Sequence, residues 1–261
     1  MGAAVPLSVV ILAKNESARL AECIRSVSWA DEVLVVDDES TDGTASLAKT
    51  LGARVVSRAM DLEGRHRNWA HAQAKHDWIL SLDADERVTP ELADEIGTLL
   101  SAVPAGEVFA IPRRNFVGER WVRYGGWYPS PQIKLFKRTV FRWEETTVHP
   151  RAISDRPSVL LRGDILHYSY RDLHDFVEKM NRQTSLEAAK WMADRRTMTV
   201  GKALWRSLDR FLRALIGKRG FRDGMLGYVL AVMAGMYQFV SFAKYWELQQ
   251  QAHQSASGPG R

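Results

Sequence analysis

The first hundred residues alternate short apolar runs with amphipathic ones, and this alternation leaves few architectures open. LSVVIL (Leu7 to Leu12), EVLVVDD (from Glu32), ARVVS (from Ala53) and DWILSL (from Asp77) read as buried strands. Between them, ESARLAECIRSV has helical spacing at Leu20, Ile24 and Val27. TDGTASLAKTLG reads as a second helix, with Ser40, Thr41 and Asp42 available as caps and Gly52 to end it. GRHRNWAHAQAK is a third. TPELADEIGTLL is a fourth, with Thr89 as N-cap and Pro90 at the first helical position. Strands apolar on both sides, alternating with helices, imply an α/β fold whose mainly parallel sheet is covered on both faces.

In such sheets ligands bind beyond the carboxyl ends of the strands. The polar clusters fall there: AKNES after the first strand, DDEST after the second, DADER after the fourth. Asp83 and Asp85, one residue apart in a turn, can aim at one hard cation, or share a cation and a sugar hydroxyl between them. Mg2+ and Mn2+ favour carboxylate oxygens together with ligand phosphates and water. Glu86 is either a supporting acid behind them or a partner for Arg87. Asp37 and Asp38 can accept hydrogen bonds from a base N–H or ribose hydroxyls. AKNESARL contains no glycine, which argues against a P-loop or a dinucleotide fingerprint. Phosphates must then be held by a metal and by side chains, with Arg67 and Asn68 as candidates.

From Glu107 onward the rhythm breaks into short strands rich in Arg and aromatics. Between Ile111 and Arg142 eight Lys or Arg face one acid, Glu119, a balance that favours an anionic partner. Arg113, Arg114, Arg120 and Arg123 interleave with Trp121, Tyr124, Trp127 and Tyr128, a pattern suited to stacking on sugar rings and pairing with phosphate or carboxylate. No RNA-binding motif accompanies it, so nucleic acid is not the expected partner. Leu173 to about Met198 reads as a helix with Phe176, Met180, Thr184 and Ala188 on one face.

The composition, 46% hydrophobic and 26% charged, provides for an ample core. One cysteine, Cys23, rules out an internal disulfide framework and fits a small buried residue in a reducing cytosol. The N-terminus has no signal-peptide pattern. Near the other end, Val200 to Ile216 places Leu204, Leu208, Phe211, Leu212 and Leu215 on one face, with Lys202, Arg206, Arg210 and Arg213 largely elsewhere. Met225 to Ala243 is nineteen residues without a formal charge. It can span a bilayer, lie in its interface or serve as a core helix, and the basic amphipathic helix before it favours the interface. The tail QSASGPGR is expected to be disordered.

The run SVVILAKNES, VLVVDDESTDGT, GRHRNWA and DWILSLDADERVTPEL resembles the family 2 glycosyltransferases, which have the GT-A fold. PQIKLFKR, TTVHPRA and GDILHYSYRDLHDFVEKMNRQTSLEAAKW are similar to the lipopolysaccharide-core β-1,4-glucosyltransferases that act on a heptose. The likeness covers residues 7 to about 195 closely and the C-terminal helices loosely. It implies a nucleotide-sugar-binding half over 1–106 and an acceptor half over 107–198 of the same domain. Membrane-associating helices would follow over 199–250, and a tail over 251–261.

By that resemblance Ala13, Asn15, Asp37 and Asp38 line the nucleotide pocket, Asp83 touches the ribose or pyrophosphate, and Asp85 binds Mg2+ or Mn2+. Transfer from UDP-glucose or another nucleotide sugar would invert the anomeric centre and require a general base. Glu144 and Glu145 are the leading candidates. The subset carries His followed by Glu where this chain has His149-Pro150, which removes one carboxylate. His167 is placed with the metal; Arg113, Arg114, Trp127 and His149 are placed with an anionic or lipid-linked glycan acceptor. A peripheral enzyme on the cytoplasmic face of a bacterial inner membrane follows. The competing readings are a nucleotidyltransferase acting on sugar phosphates and a non-catalytic nucleotide-sugar-binding scaffold.

Overall fold

A computed structural model describes residues 5–102, 104, 106–146 and 150–256. The chain divides into two units, Met1–Asn115 with Pro129–Ser169, and Phe116–Tyr128 with Tyr170–Arg261.

The first unit begins β1 (Val5–Ala13), α1 (Ser17–Ser26), β2 (Ala30–Asp37), α2 (Thr44–Thr50), β3 (Arg54–Ser57), α3 (Glu63–Ala72), β4 (Trp78–Asp83), β5 (Glu86–Val88) and α4 (Pro90–Ser101). Then come β6 (Val108–Ile111), β7 (Arg113–Val117), β8 (Arg120–Trp121), β9 (Gln132–Lys137), β10 (Arg142–Trp143), β11 (Ala152–Ile153), β12 (Val159–Leu160) and β13 (Ile165–Tyr170), of which β8, the last two residues of β7 and the last of β13 belong to the second unit. A seven-stranded sheet runs in the order β12-β6-β9-β4-β1-β2-β3. β1 pairs in parallel with β2 and β4, and β2 with β3, whereas β9 is antiparallel to β4 and β6. The expected helices and strands of the first hundred residues are all present, and Thr89 caps α4 by accepting from Leu92 N.

The central strands are apolar throughout because both faces are covered. Val9, Ile11, Val35, Leu80, Leu82 and Leu135 pack under Leu20 and Cys23 of α1 and Leu92 and Ile96 of α4. Val10, Leu34, Val36, Ile79 and Phe136 lie on the other face with Ala70 of α3. Each fully buried Leu, Ile or Val there stabilises the fold by about 2 kcal/mol. α3 comes very close to the loop after β10: a Cβ on Gly64 would lie 1.9 Å from the Glu144 carbonyl oxygen.

The second unit holds α5 (Leu173–Ala193), α6 (Val200–Leu212), a π-helical turn at Arg213–Gly217, a 3-10 turn at Gly220–Asp223 and α7 (Gly224–Ala256). The side chains of Asp172 and Thr199 cap α5 and α6. Phe176, Met180, Thr184 and Ala188 of α5 are buried, as their spacing requires. The apolar row of α6 is only partly so: Leu204, Leu208 and Leu212 face solvent, whereas Phe211 meets the Tyr228 ring of α7 edge-on, and buried Ala203 packs on α7. α7 continues as helix to Ala256, so the stretch expected as a tail from 251 is helical over its first six residues.

Candidate active site

Parallel pairing brings the ends of three strands to one rim, because Leu12 stands opposite Asp83 and Ala13 opposite Asp37. The acids expected at the carboxyl ends are therefore neighbours in space, and each is held differently.

Asp83 is gripped by two cations. Its Oδ1 accepts from Arg67 Nη2 at 3.0 Å and its Oδ2 from Lys134 Nζ at 3.0 Å. Burial alone raises the Asp83 pKa; Arg67 and then Lys134 outweigh it and hold the carboxyl well below the usual range. Burial likewise works against the Arg67 charge, but Asp83 and Glu63 more than restore it, and the guanidinium titrates above its ordinary value. Lys134 belongs to β9, whose antiparallel pairing with β4 carries it under the rim.

Glu86 is wholly buried. Its Oε2 accepts from Asp83 N at 2.9 Å and from Lys134 Nζ at 2.6 Å, while Arg113 Nη1 stands 3.7 Å from Oε1. Glu86 is thus the acid behind the turn. Arg87 instead pairs with Glu22 at 2.6 Å and lies over the Tyr168 ring. Cys23, beneath this cluster, has its thiol pKa pushed up by burial and then by Glu86, Asp85 and Asp83, which keeps it an inert core residue.

Asp85 carries looser contacts. Its Oδ2 lies 3.7 Å from His167 Nε2 and 3.8 Å from Arg19 Nη1. His167 Nδ1 meets Asn115 Oδ1 at 2.8 Å, which orients the ring and turns Nε2 towards Asp85. One carboxylate oxygen and one ring nitrogen converge, a donor pair that fits a divalent cation drawing its other ligands from a diphosphate and water. Among the described residues no group of three or more His, Cys, Asp or Glu converges into a metal cage.

At the ends of β1 and β2, Asn15 ties two loops together: its Oδ1 accepts from Thr41 N at 2.8 Å and its N donates to Ser40 Oγ at 2.8 Å. It adopts φ 53°, a region Asn tolerates better than most residues. Asp37 accepts from Ser40 N through Oδ2, and its buried Oδ1 has no partner. Burial raises the Asp38 pKa, but bonds from Lys14 Nζ (2.9 Å) and Met60 N (2.7 Å) lower it overall. His66 Nδ1 is a second buried orphan, and burial lowers that histidine's pKa. An acceptor and a ring nitrogen left unsatisfied in one region are what a nucleoside would complete.

Other expected residues lie elsewhere. Asn68 directs both amide atoms to the Trp143 backbone, at 2.8 and 2.9 Å, and so positions β10 rather than facing the rim. Glu145 is exposed and paired with Arg65 at 3.0 Å, and Glu144 accepts from Arg151 N at 3.4 Å. Neither lines the polar cavity of about 290 Å³ formed by Arg67, Ser81, Asp83, Gln132, Lys134 and Trp143. Arg114 binds buried Asp164 at 2.6 Å in a separate cleft, since it and Arg113 alternate on β7. In the second unit Trp127 packs edge-on to Tyr170 and lines a cavity of about 310 Å³ with Met180, Arg210 and Gln238. His149 lies outside the described residues. A larger open groove of about 1050 Å³ between α1 and α4 contains none of the rim acids, so size does not mark the site.

Lys134, Lys14 and Arg19 were not among the candidates that the motifs single out. The basic stretch from 111 to 142 held the signal for Lys134, but the structure neutralises much of that stretch internally. Lys137 pairs with Glu107, Arg138 with Asp77 and Arg114 with Asp164.

Comparison with known proteins identifies the family. The family model for glycosyl transferase family 2 matches residues 8–157. An uncharacterized glycosyltransferase of Rickettsia typhi is 29% identical over 254 residues, covering 93% of this chain and 87% of that one. The lipopolysaccharide core biosynthesis glycosyltransferase LpsC of Rhizobium meliloti is 26% identical over 255 residues, 93% of each chain. Among solved structures, glucosyl-3-phosphoglycerate synthase from Mycobacterium tuberculosis, in complex with Mn2+, uridine-diphosphate and glucosyl-3-phosphoglycerate, is 27% identical. It has a TM-score of 0.34, covering 43% of this chain and 44% of that one. With its mainly parallel α/β sheet of the GT-A type and its acidic rim, the chain belongs to glycosyl transferase family 2 and is a glycosyltransferase.

Proposed function

We propose that the chain is a metal-dependent, inverting hexosyltransferase. It takes a nucleotide sugar, UDP-glucose first among them, and acts at a membrane surface on an anionic or lipid-linked glycan such as lipopolysaccharide core. The observation that carries this reading is the alignment of Asp37, Asp38, Asp83 and Asp85 on one rim with unequal partners. Asp37 and Asp38 suit the base and ribose. Asp83, fixed by Arg67 and Lys134, suits the sugar–diphosphate junction. Asp85 and His167 would hold the divalent ion, which when bound neutralises the departing nucleoside diphosphate.

Arg67, which lines the polar cavity together with Asp83, brings a fixed cation to the diphosphate side. Glu144 is preferred to Glu145 as general base, because Glu145 is ion-paired to Arg65. The family assignment weighs against a nucleotidyltransferase, and the intact acid rim against a scaffold. The lipid-linked acceptor rests on the likeness to LpsC and on the exposed apolar helices of the second unit.

A thermal-shift screen of nucleotide sugars with and without Mn2+ tests the reading. One nucleotide sugar should raise the melting temperature of the wild type only with metal present, and Asp85→Ala should abolish that shift without lowering the unliganded melt. Equal stabilisation with the metal chelated would sink the metal-dependent mechanism.

A further inference from the structure

Helix α6 carries its apolar row on the outside. Val200, Leu204, Leu208 and Leu212, continued by Ile216 in the π-helical turn, recur every fourth residue and form one stripe. All five are exposed, by 41% to 61%, and Trp205 beside them by 68%. The face against α7 is a different one, made of Ala203, the Ser207 backbone and Phe211, whose ring meets Tyr228 of α7 edge-on. Ala203 is buried, and Gly235 of α7 admits the Ser207 carbonyl so closely that a Cβ there would lie 2.9 Å from it. The helix is docked by that side, leaving unpartnered a row that water disfavours.

The occupant follows from charge. Between Val200 and Arg222 seven Lys or Arg accompany one acid, Asp209. A symmetric pairing with a second copy would set that charge against itself. An anionic lipid surface satisfies both the row and the cations. Insertion of α7 across the bilayer is disfavoured, although it is long and apolar enough by composition. Its inner face is fixed along α5 through Met180 and Leu230, then through Ala188, Phe242 and Tyr245. Lys244 Nζ donates to Asn181 O, Asn181 Oδ1, Thr184 Oγ1 and Ser185 Oγ, all at 2.6 to 2.9 Å. Crossing would drag the charged residues of α5 into hydrocarbon.

We infer that α6 lies in the plane of an anionic lipid surface, with Val200, Leu204, Trp205, Leu208, Leu212 and Ile216 entering the acyl boundary and the flanking Lys and Arg at the headgroups. This names the surface for the membrane contact in the function proposed above and rests on that reading.

Flotation of the full chain on phosphatidylcholine vesicles, with and without phosphatidylglycerol, tests it. Wild type should float with the anionic vesicles. Leu204→Glu/Leu208→Glu, both at solvent-exposed positions, should lower the bound-to-free ratio at least about tenfold. Lys202→Gln/Lys218→Gln should lower it by about fivefold per cation. Nucleotide-sugar binding and melting temperature should stay at wild-type values in both variants. The inference is overturned if wild type stays at the bottom of the gradient, or if the Leu variant floats as well as wild type. It is also overturned if wild type is a dimer in solution that the Leu variant splits while neither floats. Normal flotation by a wild type that binds no nucleotide sugar would sink the transferase reading and leave the lipid surface standing.

Discussion

Lys134 Nζ donates to Glu86 Oε2 at 2.6 Å, and the carboxylate that receives it has no exposure to solvent. A buried ion pair is poor evidence of stability by itself, but breaking one side of it leaves an uncompensated charge. Here the same ammonium also restrains Asp83, so fold and site depend on one side chain.

Lys134→Met should therefore destabilise the protein by about 3–5 kcal/mol in urea unfolding. Adding Glu86→Gln should recover much of that loss, since both charges then disappear together. A double-mutant cycle reads the coupling; a single-variant loss below about 1 kcal/mol would show that the pair is not held as described.

Asn115 Oδ1 holds the His167 ring at Nδ1, 2.8 Å away, so under the proposed reading it would act through that histidine rather than on substrate. Asn115→Ala should raise the Mn2+ concentration needed for half-maximal transfer by about 10- to 100-fold, with most of kcat restored at saturating metal. A fall in kcat that metal cannot rescue would point to a different role for the residue.

His71 supplies a pH dependence with a definite sign. Burial, then Arg67 and Lys134, push its pKa down to about 3, with Ser81 Oγ 3.0 Å from Nε2. The unfolded chain then binds the proton that the folded one excludes. Stability is complete above the unfolded value near 6.5 and declines as pH falls towards the folded value. Between pH 7 and pH 5 this group should cost about 2 kcal/mol, and His71→Gln should flatten that part of the profile. Asp83 does not confound the measurement. Its folded pKa is depressed, so its contribution is lost only as pH falls below the usual carboxylate range. Denaturant unfolding at the two pH values decides the matter.

Gly64→Ala inverts the usual expectation for a helix. Alanine normally favours a helical position by up to about 1 kcal/mol. At Gly64 the added Cβ would lie 1.9 Å from Glu144 O and 3.2 Å from Pro150 Cβ. A net loss of about 2 kcal/mol is expected instead, as for overpacked sites. Transfer activity should fall with it, because the Glu144 loop must shift.

The alternation of β1 to α4 was legible because each of those elements declares itself within a dozen residues, down to the Thr89 cap. The acids at the strand ends were legible because parallel pairing of neighbouring strands places consecutive carboxyl ends together. Lys134 was not. It sits 51 residues from Asp83 and 48 from Glu86, and its neighbours in the chain are as basic as it is. Nothing local distinguishes the one lysine that an antiparallel strand buries from those that pair at the surface. Asn68 misleads for a related reason: a polar residue beside Arg67 looks like a ligand group until β10 arrives to occupy both amide atoms. On α6, periodicity identified the apolar stripe, but periodicity carries no information about which stripe a neighbouring helix will cover.

The insertion of β9 beside β4 also bears on how the chain comes off the ribosome. Asp83 and Glu86 emerge about fifty residues before their ammonium, a delay of roughly 3–10 s at ordinary synthesis rates. During that interval the nascent sheet has an open edge at β4 and carries two carboxylates whose shared lysine has not yet been made. Closure of the domain therefore waits on translation past Lys137. A polypeptide abandoned earlier would keep its full set of rim acids yet lack the charge balance to bury them, and quality-control proteases could tell it from the finished enzyme.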